Sequence, residues 1–188
     1  MGHRELLLSA ARRCLEERGF ARTTARDLVA ASGTNLASIG YHFGSKEALL
    51  NQAMMDAFTE YTEKLFAMAQ EPADAGDPLD RTRQIWGAMV EMFGSMRPLM
   101  VAFVEAMTQA EHSQELRAEL ASGYERLRST IAEPIIAMAP DLPKDQARDL
   151  ASFLIAVNDG LMVQWLLDPE RSLNGERAFD AAKMIFGA

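Results

Sequence analysis

Asn35, Ser38, Tyr41 and His42 place an amide, a hydroxyl, a phenol and an imidazole close together in the chain. At about 100° per helical residue, Asn35, Ser38 and His42 share one face with Tyr41 beside it, while Leu36, Ile39 and Phe43 share the opposite, apolar face. Such groups hydrogen-bond phosphate oxygens and base edges in a major groove. An ordinary solvated helix would carry more Glu and Lys there. The flanks fit the same chemistry. Thr24 followed by Asp27 has the capping-box spacing, and Ser45 can cap a further helix with Lys46 in its first turn. Backbone N–H groups, the helix dipole and an ammonium then converge where an anion such as a DNA phosphate can sit.

Positioning these groups takes two short helices and a tight turn. Thr24 opens the first helix, and Leu28 and Ala31 supply its apolar face. Ser32, Gly33 and Thr34 form the turn, where glycine accepts positive φ at little cost. The second helix starts at Thr34 or Asn35. This is a helix-turn-helix spacing.

The stretch TARDLVAASGTNLASIGYHFGSKEALL, residues 24–50, resembles the DNA-binding domain of the tetracycline-repressor (TetR) family of bacterial regulators. The matching positions are Thr24, Asp27, Leu28, Ser32, Gly33, Asn35, Ala37, Ser38, Ile39, Tyr41, His42, Phe43, Ser45, Lys46, Glu47 and Leu49. The segment Y-H-F-x-S-K-E at its fixed offset from Gly33 is the specific part. Two positions depart from the family pattern: Thr34 replaces a small aliphatic residue, and Gly40 a tyrosine or asparagine. Gly40 costs roughly 1 kcal/mol of helix propensity relative to alanine, so the recognition helix is expected to end early or to be completed only on DNA.

The resemblance implies a DNA-binding transcriptional regulator, a ligand-responsive repressor acting as a homodimer on a pseudo-palindromic, double-stranded operator. Its DNA contacts would be Thr24, Thr34, Asn35, Ser38, Tyr41, His42 and Lys46. The domains would be residues 1–50, with the motif over about 24–43, and residues 51–188 for ligand binding and dimerisation. Helix 4, from about Ser45, would connect them, so that a shift at one end reaches the other.

Composition agrees with that division. The net charge is −8, but residues 1–50 carry seven Lys or Arg against five Asp or Glu, and residues 51–188 carry twelve against twenty-two. The acidity lies outside the reader. At 188 residues the chain can bury a core without disulfides, and the lone Cys14 sits on an apolar helix face as a core thiol. No signal peptide and no run of 18 apolar residues is apparent, so a cytoplasmic protein without membrane contact is expected.

Helical periodicity dominates, and about nine helices in an all-α fold are expected. Helix 1 covers about Arg4 to Arg18, helix 4 runs to about Met68, and Glu71 to Pro78 is a loop. Arg97-Pro98 should separate helices 5 and 6, and Pro134 should kink or end helix 7. Helix 8 spans about Lys144 to Leu167, and a last helix about Glu176 to Phe186.

Between residues 86 and 107 lie five of the chain's twelve methionines. Methionine adapts to variable contents, so this segment suits a small hydrophobic ligand as well as a plain core. The candidate lining is Trp86, Met89, Phe93, Met100, Phe103, Tyr124, Asn158 and Trp165. Phe153, Ile155 and Met162 make helix 8 apolar on more than one side and mark a dimer interface. Asn158 and Asp159 fit either place.

Enzyme chemistry finds no support. His3, His42 and His112 are the only histidines, and no HExxH, Glu-x-x-His pair or CxxC is present, so no catalytic site, metal or cofactor is expected. A helical adaptor that has lost DNA binding is the alternative, supported by Gly40 alone.

Overall fold

The computed structural model describes residues 2–70 and 78–186. Among these the chain is all helix: α1 His3–Arg18, α2 Ala25–Ser32, α3 Leu36–Phe43, α4 Lys46–Gln70, α5 Pro78–Glu91, α6 Phe93–Ala110, α7 Gln114–Met138, α8 Lys144–Leu167 and α9 Gly175–Phe186. The all-α expectation holds. The loop expected over Glu71 to Pro78 lies, except for Pro78, outside the described residues.

One proline expectation is corrected outright and another in part. The break between α5 and α6 falls at Met92, with a bend of 63°, and Pro98 lies inside α6. A residue with an N–H at position 98 would donate to the Gly94 carbonyl; Gly94 and Pro98 are both exposed, so water can satisfy that oxygen instead. Pro134 lies within α7 and does not end it, since the helix continues to Met138; of the expected kink or end, only the end is overturned.

The chain packs as two compact units, Met1–Thr59 with Pro98–Leu127 and Glu60–Arg97 with Arg128–Ala188. Both α4 and α7 run from one into the other. This division by packing differs from one at residue 50, because most of α6, from Pro98 on, and the first half of α7 belong with the N-terminal helices.

In the first unit α1 packs on α2 and α3. Leu7, Ala10, Ala11, Cys14 and Leu15 of α1 close over Phe20, Leu28, Ile39 and Leu49, all buried. Burial pushes the Cys14 thiol above its ordinary pKa, as a core thiol requires. Phe103 of α6 stands edge-on to Phe58 at 5.6 Å and lies 6.1 Å from Tyr124 of α7, ring centre to ring centre. Gly123 lets α7 approach Met55, whose Cγ would be 2.8 Å from an added Cβ.

In the second unit α5 and α9 are in backbone contact. A side chain at Gly175 would collide with the Trp86 carbonyl and the Gly87 backbone. Arg83 of α5 pairs with Asp180 at 3.0 Å and lies over the Phe179 ring at 5.2 Å. The Tyr61 hydroxyl donates to the Met89 carbonyl at 3.0 Å, and burial raises its pKa, so it stays protonated.

Helix α8 corrects part of the interface expectation. Ile155 and Met162 are 6% and 4% exposed, turned into the chain's own core, whereas Phe153 is 46% exposed. Counting by threes and fours from Phe153 gives the outward face: Ala156, Gly160, Val163 and Leu167, all exposed. By length and composition α8 could cross a membrane, with a mean hydropathy of 1.5 and 22% of that window buried.

Candidate nucleic-acid interface

Local hydrogen bonding explains why α2 and α3 form where they do. The Thr24 hydroxyl accepts from the Asp27 N–H at 3.2 Å, and the Asp27 carboxylate accepts from the Thr24 N–H at 2.9 Å and its hydroxyl at 2.6 Å. The capping box is complete. These bonds, with Arg18 at 2.7 Å, hold the Asp27 carboxyl below the usual carboxylate range. Gly33 ends α2 in the left-handed conformation, φ 68° and ψ 19°, and the Ser32 and Thr34 hydroxyls meet at 2.8 Å across the turn. Asn35 caps α3 by accepting from the Ser38 N–H at 3.0 Å.

The face that α3 presents differs from the one expected. Ser38 is only 8% exposed, and its hydroxyl donates to Asn35 Oδ1 at 3.2 Å and sits 3.0 Å from His3 Nδ1. It stitches α3 to the start of α1 rather than reaching outward. His42 is half-buried between ring contacts with Tyr41 and Phe43, at 4.9 and 6.2 Å. The exposed face consists of Leu36, Ala37, Gly40 and Tyr41, with Asn35 at its edge; Tyr41 is 86% and Leu36 57% exposed. The expectation erred because α2 and α1 do not pack on the purely apolar face of α3. They pack on the face centred between Ile39 and His42, so the small hydroxyl of Ser38 is covered and Leu36 is not. Gly40 also does not end the helix early, since its carbonyl accepts from the Gly44 N–H at 3.0 Å and α3 reaches Phe43.

Lys46 is held inside the unit. Its ammonium donates to the Thr23 carbonyl at 3.0 Å, pairs with Glu47 at 3.1 Å and lies 6.0 Å from the Phe20 ring centre. It anchors the start of α4, capped by Ser45, onto the turn before α2. Thr24 is exposed, and in the first turn of α2 so is Arg26, a cation beside the Thr24 cap that helical spacing alone did not single out.

A second overlooked residue is Glu105 of α6. Its carboxylate accepts from the Ala21 N–H at 3.0 Å and lies so close to Gly19 that a Cβ there would be 2.9 Å from its Oε2. Gly19 has φ 79°, and Thr23 donates from its hydroxyl to the Gly19 carbonyl at 2.7 Å. The turn entering α2 is thus gripped by α6 on one side and by Lys46 of α4 on the other. Glu105 lies 84 residues from Ala21, and no local pattern joins them.

The residues expected to line one ligand pocket fall in both units: Met100, Phe103 and Tyr124 in the first, Trp86, Met89, Phe93, Asn158 and Trp165 in the second. Met100 and Phe103 are buried in packed core. Within the second unit, Phe93 and Trp165 have ring centres 6.0 Å apart. Trp165 borders a cavity of about 720 Å³ with Met68, Arg83, Glu91, Glu176 and Arg177, a more polar wall than the methionine-rich segment suggested. Trp86 instead borders an apolar groove of about 590 Å³ with Leu150, Phe153, Val157, Leu173 and Ile185. Among the described residues no cluster of His, Cys, Asp and Glu is arranged to hold a metal ion.

Two capped helices across a glycine turn, the second with an outward face, form a helix-turn-helix, the architecture of DNA-binding transcriptional regulators. Residues 7–53 match the profile of the bacterial regulatory proteins of the tetR family, and residues 78–184 match that of the BetI-type transcriptional repressor C-terminal domain. The chain belongs to the tetR family and carries a BetI-type C-terminal region. It is 30% identical over 164 residues to the regulator BetI of Stenotrophomonas maltophilia, covering 87% of this chain and 79% of that protein. Among solved structures, a transcriptional regulator from Rhodococcus sp. RHA1 superposes with a TM-score of 0.73 at 20% identity, covering 99% of this chain and 96% of the other. A Saccharomonospora viridis regulator in complex with choline superposes with a TM-score of 0.59 at 24% identity, covering 98% and 95%.

Proposed function

We propose that the chain is a ligand-responsive repressor that binds its operator as a homodimer in the cytoplasm, with the outward face of α3 in the major groove. The observation that carries this reading is the exposed face of Asn35, Leu36, Ala37, Gly40 and Tyr41 on a short helix held by its own cap and by α1 and α2. Tyr41 and Asn35 supply the polar contacts, and Thr24, Thr34 and Arg26, at the ends of α2, supply contacts to the phosphate backbone. Lys46 acts by positioning the turn at Thr23. Ser38 and His42 shape α3 from within.

Helix α8 supports the dimer reading. Its outward stripe of Phe153, Val163 and Leu167 surrounds the small residues Ala156 and Gly160, which permit a second helix to approach closely. Asn158, Asp159 and Gln164 in the same helix would be costly in lipid, so a second copy suits this surface better than a bilayer. Two-fold pairing sets two α3 helices about one DNA turn, or a multiple, apart.

The ligand reading rests on the cavity bordered by Trp165 with Glu91, Glu170 and Glu176, against Arg177 and an Arg83 already paired with Asp180; an indole among carboxylates suits a small organic cation better than a purely apolar molecule. Choline, found in the Saccharomonospora structure, is the first compound to try.

Selection of bound fragments from genomic DNA, followed by footprinting, tests the whole reading. The expected result is symmetric protection of an inverted repeat that weakens on adding choline or a related cation. Protection of no inverted repeat would overturn the operator reading. An unchanged footprint across quaternary ammonium compounds would overturn only the ligand class.

A further inference from the structure

Operator recognition needs side chains that tell one base pair from another, and the outward face of α3 carries few hydrogen-bonding groups. Between the Asn35 cap and Tyr41, that face consists of Leu36, Ala37 and Gly40. Ser38 and His42 are turned away from it. Asn35 Oδ1 already accepts from the N–H and the hydroxyl of Ser38, so that residue has mainly its amide NH₂ left for DNA. Leu36 is more than half exposed in the first turn of the helix, the turn nearest the bases when such a helix enters a groove.

In a major groove every base edge offers donors or acceptors, and the thymine C5 methyl is the one apolar feature. A leucine pressed against guanine or cytosine edges strips water from polar atoms and returns no hydrogen bond. Against thymine methyls the same side chain loses only apolar surface. Gly40 adds a second condition. No heavy atom lies within 4 Å of where its Cβ would be, so the protein itself has room for a side chain there. The missing side chain gives space on the DNA side.

We propose that Leu36, with Ala37 beside it, is a specificity-determining residue that reads thymine C5 methyl groups in each operator half-site, and that Gly40 lets α3 approach closely enough to do so. This rests on α3 being the reading helix, as argued above. The preferred half-site then contains A·T pairs whose thymine methyls face the first turn of α3.

Replacing thymine by deoxyuridine, one position at a time in the selected operator, tests this directly, because uracil keeps every hydrogen-bonding group and lacks only the methyl. One or two positions per half-site should weaken binding by about threefold to tenfold, on the order of one or two buried methyl groups. Leu36→Ala, which removes an exposed side chain and leaves the core intact, should bind thymine and uracil operators alike. Tyr41→Phe should keep the thymine preference. Gly40→Ala should fold with unchanged or higher thermal stability and yet bind the operator more weakly. Equal binding of thymine and uracil operators at every position, or a thymine preference that survives Leu36→Ala, would overturn the methyl reading while the footprint of the parent protein still upholds α3 as the reader. Tight operator binding by Gly40→Ala would overturn the close approach. Absence of any protected operator would overturn the reader assignment and this proposal with it.

Discussion

At the scale of single residues, the reader depends on a carboxylate. Asp27 joins Thr24 and Arg18 at distances of 2.6 to 2.9 Å, and these bonds lower its pKa. A carboxylate whose folded pKa is depressed contributes stability above its unfolded pKa of about 4 and loses it as pH falls through the folded value. Asp27→Asn should therefore lower the midpoint of thermal unfolding at neutral pH, and the gap to the parent should shrink steadily on acidification below about pH 4. A gap that stayed constant from pH 7 to pH 2 would mean that the charge of Asp27 does not support the cap. Thr24 and Asp27 were legible from their spacing. Arg18, nine residues before Asp27, was not, because it reaches back across the Gly19 turn.

At the scale of elements, α6 matters as much as α4. The sequence points to α4 as the mechanical connection, since its apolar stripe runs from the reader into the C-terminal region. The structure adds a carboxylate from α6 on the amide of Ala21, beside a glycine whose φ of 79° and lack of a Cβ both make room for it. A movement of α6 would pull directly on the turn that enters α2. Glu105→Ala should speed hydrogen exchange of the Ala21 amide by about tenfold, in keeping with the loss of one charge-assisted hydrogen bond, while amides in the middle of α2 exchange as before. Unchanged exchange at Ala21 would show that the contact does not persist in solution. The break between α5 and α6 carries the same lesson. A proline is tolerated inside a helix when its orphaned carbonyl faces water, and sequence alone does not reveal that it does.

At the scale of the whole molecule, α8 carries an apolar stripe that stands exposed among the described residues. Phe153, Val163 and Leu167 share an outward stripe with Ala156 and Gly160, and the apolar groove lined by Leu150 and Ile185 adjoins it. Monomers seldom leave such a surface in water. Phe153→Asp combined with Val163→Asp changes only exposed positions, so each chain should still fold. Sedimentation should then give a monomer, and affinity for the inverted repeat should fall by at least about a hundredfold as the two half-sites cease to be bound together. A double variant that remained dimeric would place the interface elsewhere.

The sequence by itself determined the class of fold, the helix-turn-helix and the family. Each rests on local chemistry: capping pairs three residues apart, glycines at turns, and apolar positions at helical spacing. Which face of α3 looks outward was decided only by tertiary packing. Helical periodicity orders residues around an axis and leaves open which arc the neighbouring helices cover, and here α1 and α2 cover the arc holding Ser38 and leave Leu36 bare. The same holds for α8, where Ile155 and Met162 turn inward and Phe153 outward, and for Lys46, captured by the Thr23 carbonyl. These outcomes depend on partners distant in the chain, and short-range spacing carries no record of them.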